Sequence, residues 1–246
     1  MDIGFIEAFF YYSPYWIIVL PGILLGFYAQ QKLMSTYRRY AQVPNLRGLT
    51  GAEVARRILD AAGLFDVAVE VIPGALTDHY DPLKKVLRLS EANYRSPSLA
   101  AIGVAAHEAG HALQHKAGYA LLQLRMAIVP VTQFATQMAA ILAGIGFMLL
   151  FFGVLSPVLF AKLLPVIIIG YGAATFFQLV TLPVEYDASR RAAIQLRSLG
   201  IIDDTELPAI KQVLNAAALT YVAALVTAVL ELLQWILIFR GFSDDS

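Results

Sequence analysis

Four long stretches without a charged residue constrain this chain more than any other feature: Ala8 to Gln31, Met126 to Ala161, Leu163 to Val184 and Gln212 to Leu230. A helix that crosses the hydrocarbon core of a bilayer needs about 20 mostly apolar residues. Each stretch therefore holds one crossing, and the pattern predicts helices near 9–30, 127–152, 158–181 and 218–239. Gly153, Ser156 and Pro157, followed by Lys162, place a turn between the second and third. Composition agrees, since 59% hydrophobic residues, 15% charged residues and a mean hydropathy of +0.65 are too apolar for a soluble domain of 246 residues.

The charges that remain are unevenly placed. Twelve Lys and Arg fall between the first and second spans, four between the third and fourth, and only Lys162 and Arg240 elsewhere. Basic loops stay cytoplasmic, so a split of 16 against 2 predicts external termini and two cytoplasmic loops. Lys plus Arg and Asp plus Glu number 18 each, which leaves no basic field to attract nucleic acid. The expected partners are membrane lipid and a peptide or protein substrate. Asp2 and Glu7 precede the first apolar stretch where a secretory signal carries basic residues, so that segment is expected to stay as an anchor. Tyr15, Trp16 and Trp235 read as interfacial or lipid-facing aromatics, and Glu231 as an ion at membrane depth, paired with Gln234 or another polar group or held protonated.

The first loop, about 31–125, is long enough to fold. Thr50 and Glu53 form a capping box, Val54 and Ile58 give a helical apolar stripe, and Gly63 terminates it. Residues 67–72 and 85–90 have β-branched content and partial alternation, with Pro73-Gly74 and Asp81-Pro82 between them, which predicts a short antiparallel hairpin. Ser96 as N-cap and Pro97 at the first position open a helix to about Ala117, stopped by Gly118.

That helix carries the chemistry. Residues 104–115 read VAAHEAGHALQH, so His107 and His111 lie one turn apart on one face and can share an ion. Cysteine is absent, and any metal site here uses imidazole and carboxylate. Zinc polarises a scissile carbonyl and activates water, and Glu108 is placed beside the ligands to act as general base. Burying two His and a Glu among small apolar residues without such a purpose would be costly.

A third ligand is required. His115 continues the face, but in an unbroken helix it lies about 12 Å from His107, and it is read as a partly exposed helix residue. The downstream carboxylates are Glu185, Asp187, Asp203, Asp204, Glu206, Glu231, Asp244 and Asp245. Asp203, Asp204 and Glu206 read as solvated loop and helix-start residues, and the last two as external. Glu185 directly follows the third span, at the depth where the motif helix precedes the second, and is the expected third ligand; otherwise it pairs with Arg190 or Arg191. Asp187, about 200° further round the helix, should face away from the metal and support the site from behind. In the loop Thr77 to Asp81, His79 or Tyr80 is a candidate contact to the oxyanion or substrate, against a plain turn built by Asp78 and Asp81.

Three segments, LTDHYDPLKKVLRLSEANY, AAHEAGHALQH and LPVEYDASRRA, together closely resemble the YugP-like membrane zinc metallopeptidases, and more distantly the HtpX-type membrane peptidases. The resemblance covers nearly the whole chain. It implies a neutral zinc peptidase of the bacterial plasma membrane, with two His and a downstream Glu as ligands, a gluzincin-like set. The HtpX-type ExxxD pattern would put Asp at 189, where this chain has Ser189. The expected fold is mainly α: one membrane metallopeptidase domain over 1–246, with four transmembrane helices and a small cytoplasmic α+β zincin-like lobe from about 31–125 plus 182–217. The expected activity is endopeptidase cleavage near the cytoplasmic membrane surface with one zinc ion. An intramembrane protease would recruit an Asp from a later span, and spans two to four have none. A metal-binding scaffold without turnover would need no Glu108.

Overall fold

The computed structural model describes residues 13–244, with side chains from 15 to 242. Asp2, Glu7, Asp245, the side chain of Asp244 and the start of the first expected span lie outside the described residues. A 3-10 turn, Ser13–Val19, leads into α1 (Leu20–Tyr40). Then follow α2 (Gly51–Ala61), β1 (Ala68–Ile72), β2 (His79–Asp81), β3 (Val86–Ser90), α3 (Glu91–Arg95), α4 (Leu99–Lys116), α5 (Ala120–Phe151), α6 (Pro157–Ser198) and α7 (Leu207–Asp244). The protein is thus mainly helical with one small sheet.

Helices α1, α5, α6 and α7 are long and apolar enough to cross a membrane. At 32, 42 and 38 residues, α5, α6 and α7 exceed what a bilayer needs. Two compact units share them: one takes the chain up to Phe27, Leu124–Thr181 and the chain from Val222 on, and the other takes Tyr28–Gln123 and Leu182–Tyr221.

In the first unit, the expected turn forms between α5 and α6, with Ser156 Oγ accepting from the Leu159 amide at 3.3 Å and Pro157 at the first helical position, where its missing N–H costs nothing. The core is Phe160, Leu164, Ile167, Ile238 and Trp235. The expectation for Trp235 is corrected here: it is 3% exposed, with ring centroids 5.7 Å from Phe147 and 5.7 Å from Tyr171. Helical spacing turns its face inward, and aromatic packing outweighs any interfacial preference. Trp16, in contrast, is exposed. Gln234 is buried with its Nε2 unpartnered among the described residues, so that nitrogen does not donate to Glu231, one of the alternatives expected for it.

The second unit is built around α4. Thr50 caps α2 with the reciprocal Glu53 box, and Gly63 ends that helix region at φ +69°, a conformation that costs other residues more. Val54, Ala55, Ile58 and Leu59 then face inward against Leu87, Leu89, Ile102, Ala105 and Ala106. Ser98, not Ser96, caps α4, accepting from the Ala101 amide at 3.2 Å. Ser96 instead closes the five-residue helix α3, because Pro97 disfavours helical geometry in the residue before it.

The sheet also differs from the expected hairpin. Its order is β1-β3-β2, with β1 parallel to β3 and β2 antiparallel to β3. The segment between 72 and 86 is long enough to hold a strand of its own, and β2 takes the hairpin partner position. Asp81 Oδ1 shapes that hairpin's turn by accepting from the amides of Leu83 at 3.0 Å and Lys84 at 3.1 Å. Asp78 ties the incoming loop to the helix side, accepting from the Ser90 amide at 2.7 Å and from Asn93 Nδ2 at 2.8 Å.

Ile58 is fully buried at the meeting of α2 with the sheet and α4. Ile58→Ala is expected to lower stability by about 2–5 kcal/mol, read as a thermal shift of the purified protein.

Candidate metal centre

Twelve of the 18 residues of α4 are buried, and most of these are Ala or Gly. Small side chains on several faces let other elements approach its backbone closely. At Gly110 this reaches a limit: a Cβ there would lie 2.5 Å from the Ala188 carbonyl oxygen of α6. The contact sets α6 against the helix face that carries His107 and His111.

The consequence is a convergence of donors. His107 Nε2 stands 3.1 Å from Glu185 Oε2, and His111 Nε2 3.5 Å from the same oxygen. The two rings meet edge to face with centroids 4.8 Å apart. One ligand atom from each of His107, His111 and Glu185 lies within 4.8 Å of the others. Glu185 is 2% exposed, and Glu108 is also buried. Burial alone would raise the Glu185 carboxyl, but hydrogen bonds from His107 and His111 and their charge hold it well below the usual carboxylate range. Burial would lower the pKa of His111, and the Glu185 hydrogen bond with the charges of Glu108 and Glu185 outweighs it and raises it. The three side chains thus offer two imidazole nitrogens and one carboxylate oxygen to a single point, a donor set that fits zinc.

The outward nitrogens are held as well. His107 Nδ1 is 3.1 Å from Ser189 Oγ, and His111 Nδ1 is 3.0 Å from Gln114 Oε1. Neither Gln114 nor a role for Ser189 emerged from the motif reading. The signal was available, since Ser189 is one turn beyond Glu185 on α6 and Gln114 is three residues beyond His111 on α4.

Asp187 does not join the donor group. Its Oδ1 accepts from Arg190 at 2.5 Å, and its Oδ2 from Arg191 at 2.5 Å and from Gln114 Nε2 at 3.0 Å. Burial would raise its carboxyl, but these hydrogen bonds push it down to about 2. The two arginines therefore pair with Asp187, not with Glu185. His115 is also outside the group; its Nδ1 is 3.0 Å from the Tyr80 hydroxyl of β2. His79 lies on the same short strand, with Nδ1 2.9 Å from the Thr77 carbonyl and Nε2 3.4 Å from Arg88. Glu206 corrects its expectation: it is buried, and its carboxylate accepts from the Leu46 amide at 2.8 Å and the Asp203 amide at 3.2 Å. A loop crossing near the α7 start needs its amides satisfied, and Glu206 does this.

Gly110→Ala forces α4 and α6 apart without touching any donor. It is expected to lower zinc content of the purified protein measured by elemental analysis, with His107, His111 and Glu185 all present; full zinc content in this variant would mean that the close approach does not set the site.

Residues 15–240 match the family described as "Putative neutral zinc metallopeptidase". Over 229 residues, 93% of this chain and 98% of the relative, the sequence is 47% identical to a protein of Bacillus subtilis (strain 168) described as "Putative membrane protease YugP". No solved structure matches the chain. With four helices among the described residues long and apolar enough to cross a bilayer and a family match over nearly its whole length, the chain is a membrane protein and belongs to the neutral zinc metallopeptidase family.

Proposed function

We propose that the protein is a membrane-anchored endopeptidase that hydrolyses peptide bonds near the cytoplasmic membrane surface of a bacterium. The observation that carries this reading is the convergence of His107, His111 and Glu185, with Glu108 next to the first of them. These three residues would hold one zinc ion. Bound there, zinc supplies Lewis acidity that polarises the scissile carbonyl and makes water a nucleophile at neutral pH.

The chain's own residues do the rest. Glu108 takes the proton of the attacking water and passes it to the leaving amine, the work of a general base and then a general acid. Tyr80 and His79 are the proposed contacts to the oxyanion or substrate. The Tyr80 hydroxyl meets His115 on α4, the helix that carries both histidine ligands. The four apolar helices keep the site at a lipid surface, and one domain over 1–246 works as a unit, with its catalytic lobe in about 31–125 and 182–217. Peptide or protein is the substrate, lipid the surrounding medium, and nucleic acid has no basic field to meet.

Glu108→Gln is expected to lower kcat on casein or a model peptide by at least about 100-fold while zinc content stays at the wild-type level. Glu185→Ala should lose most of the zinc, whereas Asp187→Ala and His115→Ala should keep most of it. Chelator should abolish cleavage and added zinc restore it. A fully active Glu108→Gln variant, or loss of metal on His115→Ala but not on Glu185→Ala, would sink the assignment.

Orientation rests on the split of 16 basic residues against 2. A reporter inserted near Arg56 should be inaccessible from outside intact cells, and labelling there by an impermeant reagent would reverse the topology.

A further inference from the structure

Gln114 is fully buried in the last turn of α4, a helix whose buried residues are mostly Ala and Gly, where an apolar side chain would satisfy packing alone. A buried amide is retained only when its hydrogen bonds are made. Here they are, and their arrangement has one solution. Gln114 Nε2 is 2.7 Å from the Val184 carbonyl oxygen and 3.0 Å from Asp187 Oδ2. A carbonyl and a carboxylate only accept, so the NH2 end of the amide must point at them. Turned over, the amide would set its own oxygen against two acceptors. Oε1 is therefore left facing His111 Nδ1 at 3.0 Å, and it can only accept. Nδ1 of His111 must then carry a proton, and Nε2 is the nitrogen turned toward the point shared with His107 and Glu185.

We propose that Gln114 is a positioning residue that commits His111 to presenting Nε2 to the metal, and that Asp187 with the Val184 carbonyl holds Gln114 in the one orientation that does this. The proposal rests on the reading that His107, His111 and Glu185 bind zinc. It gives Asp187 a purpose two residues from a ligand without making it one. Both its oxygens are occupied by Arg190, Arg191 and Gln114, so it is fixed in place. Ser189 on the other histidine is a different device. A hydroxyl donates or accepts, so the contact to His107 Nδ1 steadies the ring without selecting a tautomer. Of the two imidazoles, only His111 has its tautomer chosen by the protein. Partners of this type behind metal-bound histidines are worth about 10- to 100-fold in metal affinity.

The test uses the full chain in detergent, loaded with zinc, and its histidines labelled with nitrogen-15; with four histidines in the chain the signals are few. Zinc affinity is measured by competition with a chromophoric chelator, folding by the melting temperature, and the His111 Nδ1 proton by its exchange with solvent. In the wild type that proton should exchange slowly. Gln114→Leu should weaken the zinc Kd by about 10- to 100-fold and remove the His111 Nδ1–H signal, while the His107 signal persists. A folded Gln114→Leu variant with unchanged Kd and a protected His111 proton overturns the proposal. So does rapid exchange of that proton in the wild type, which decides the matter even where Gln114→Leu does not fold. A wild-type chain that takes up no zinc at these residues overturns the zinc reading itself, and with it the proposal; zinc binding at wild-type affinity after loss of Gln114 overturns the proposal alone.

Discussion

The close approach of α4 and α6 at Gly110 and Ala188 is the constraint on which the site depends. Two imidazoles one turn apart are a common accident of helical spacing; a buried carboxylate delivered to both of them is not. Ala188 lies three residues after Glu185, one helical turn, so pressing its backbone against Gly110 lays that turn of α6 along the face that carries His107 and His111. The run of Ala and Gly in α4 lowers its ability to form a hydrophobic stripe but raises the number of elements that can reach its backbone. The helix gives up side-chain burial for proximity, and the larger residues of α2, β3 and α7 fill the remaining space around it.

Proximity has an electrostatic cost that the same residues offset. A carboxylate 2% exposed would be strongly destabilising if unpaired. Glu185 is not, because both histidines face it. Ser189 and Gln114 steady the two rings from behind, and the close packing of α4 on α6 fixes where the carboxylate lies. Such preorganisation means that binding spends little on ordering side chains.

The spans, the motif helix, the capping box of α2 and the turn before α6 were readable because each is set by local sequence: charge spacing, cap chemistry, and helical periodicity. Glu185 was reached by a different route, the demand for one more ligand at one depth of the membrane, and the structure brings it to the histidines. What stayed hidden depends on contacts distant in sequence. The alternation in 67–72 and 85–90 predicted strands but not that β2 would take the hairpin position and leave β1 parallel to β3. Trp235 looked interfacial because aromatics are common at both membrane faces, and only the packing of α5 and α6 residues around it shows that it is core. Glu206 read as solvated from its acidic neighbours, while its actual partner, the Leu46 amide, is 160 positions away.

Two carboxylates on one turn of α6 have opposite fates, and the difference suits the chemistry proposed. Glu185 turns toward the histidines, and Asp187 toward Arg190 and Arg191. Were both to bind a dication, its charge would be cancelled and its power to polarise a carbonyl reduced. With Asp187 neutralised by two guanidinium groups, the donor set holds a single negative charge, and a dication there keeps net positive charge for the oxyanion that develops in peptide hydrolysis. The arginines pair with that second carboxylate outside the donor group. Asp187 in turn is free to serve through the neutral amide of Gln114, which transmits orientation to His111 without adding charge.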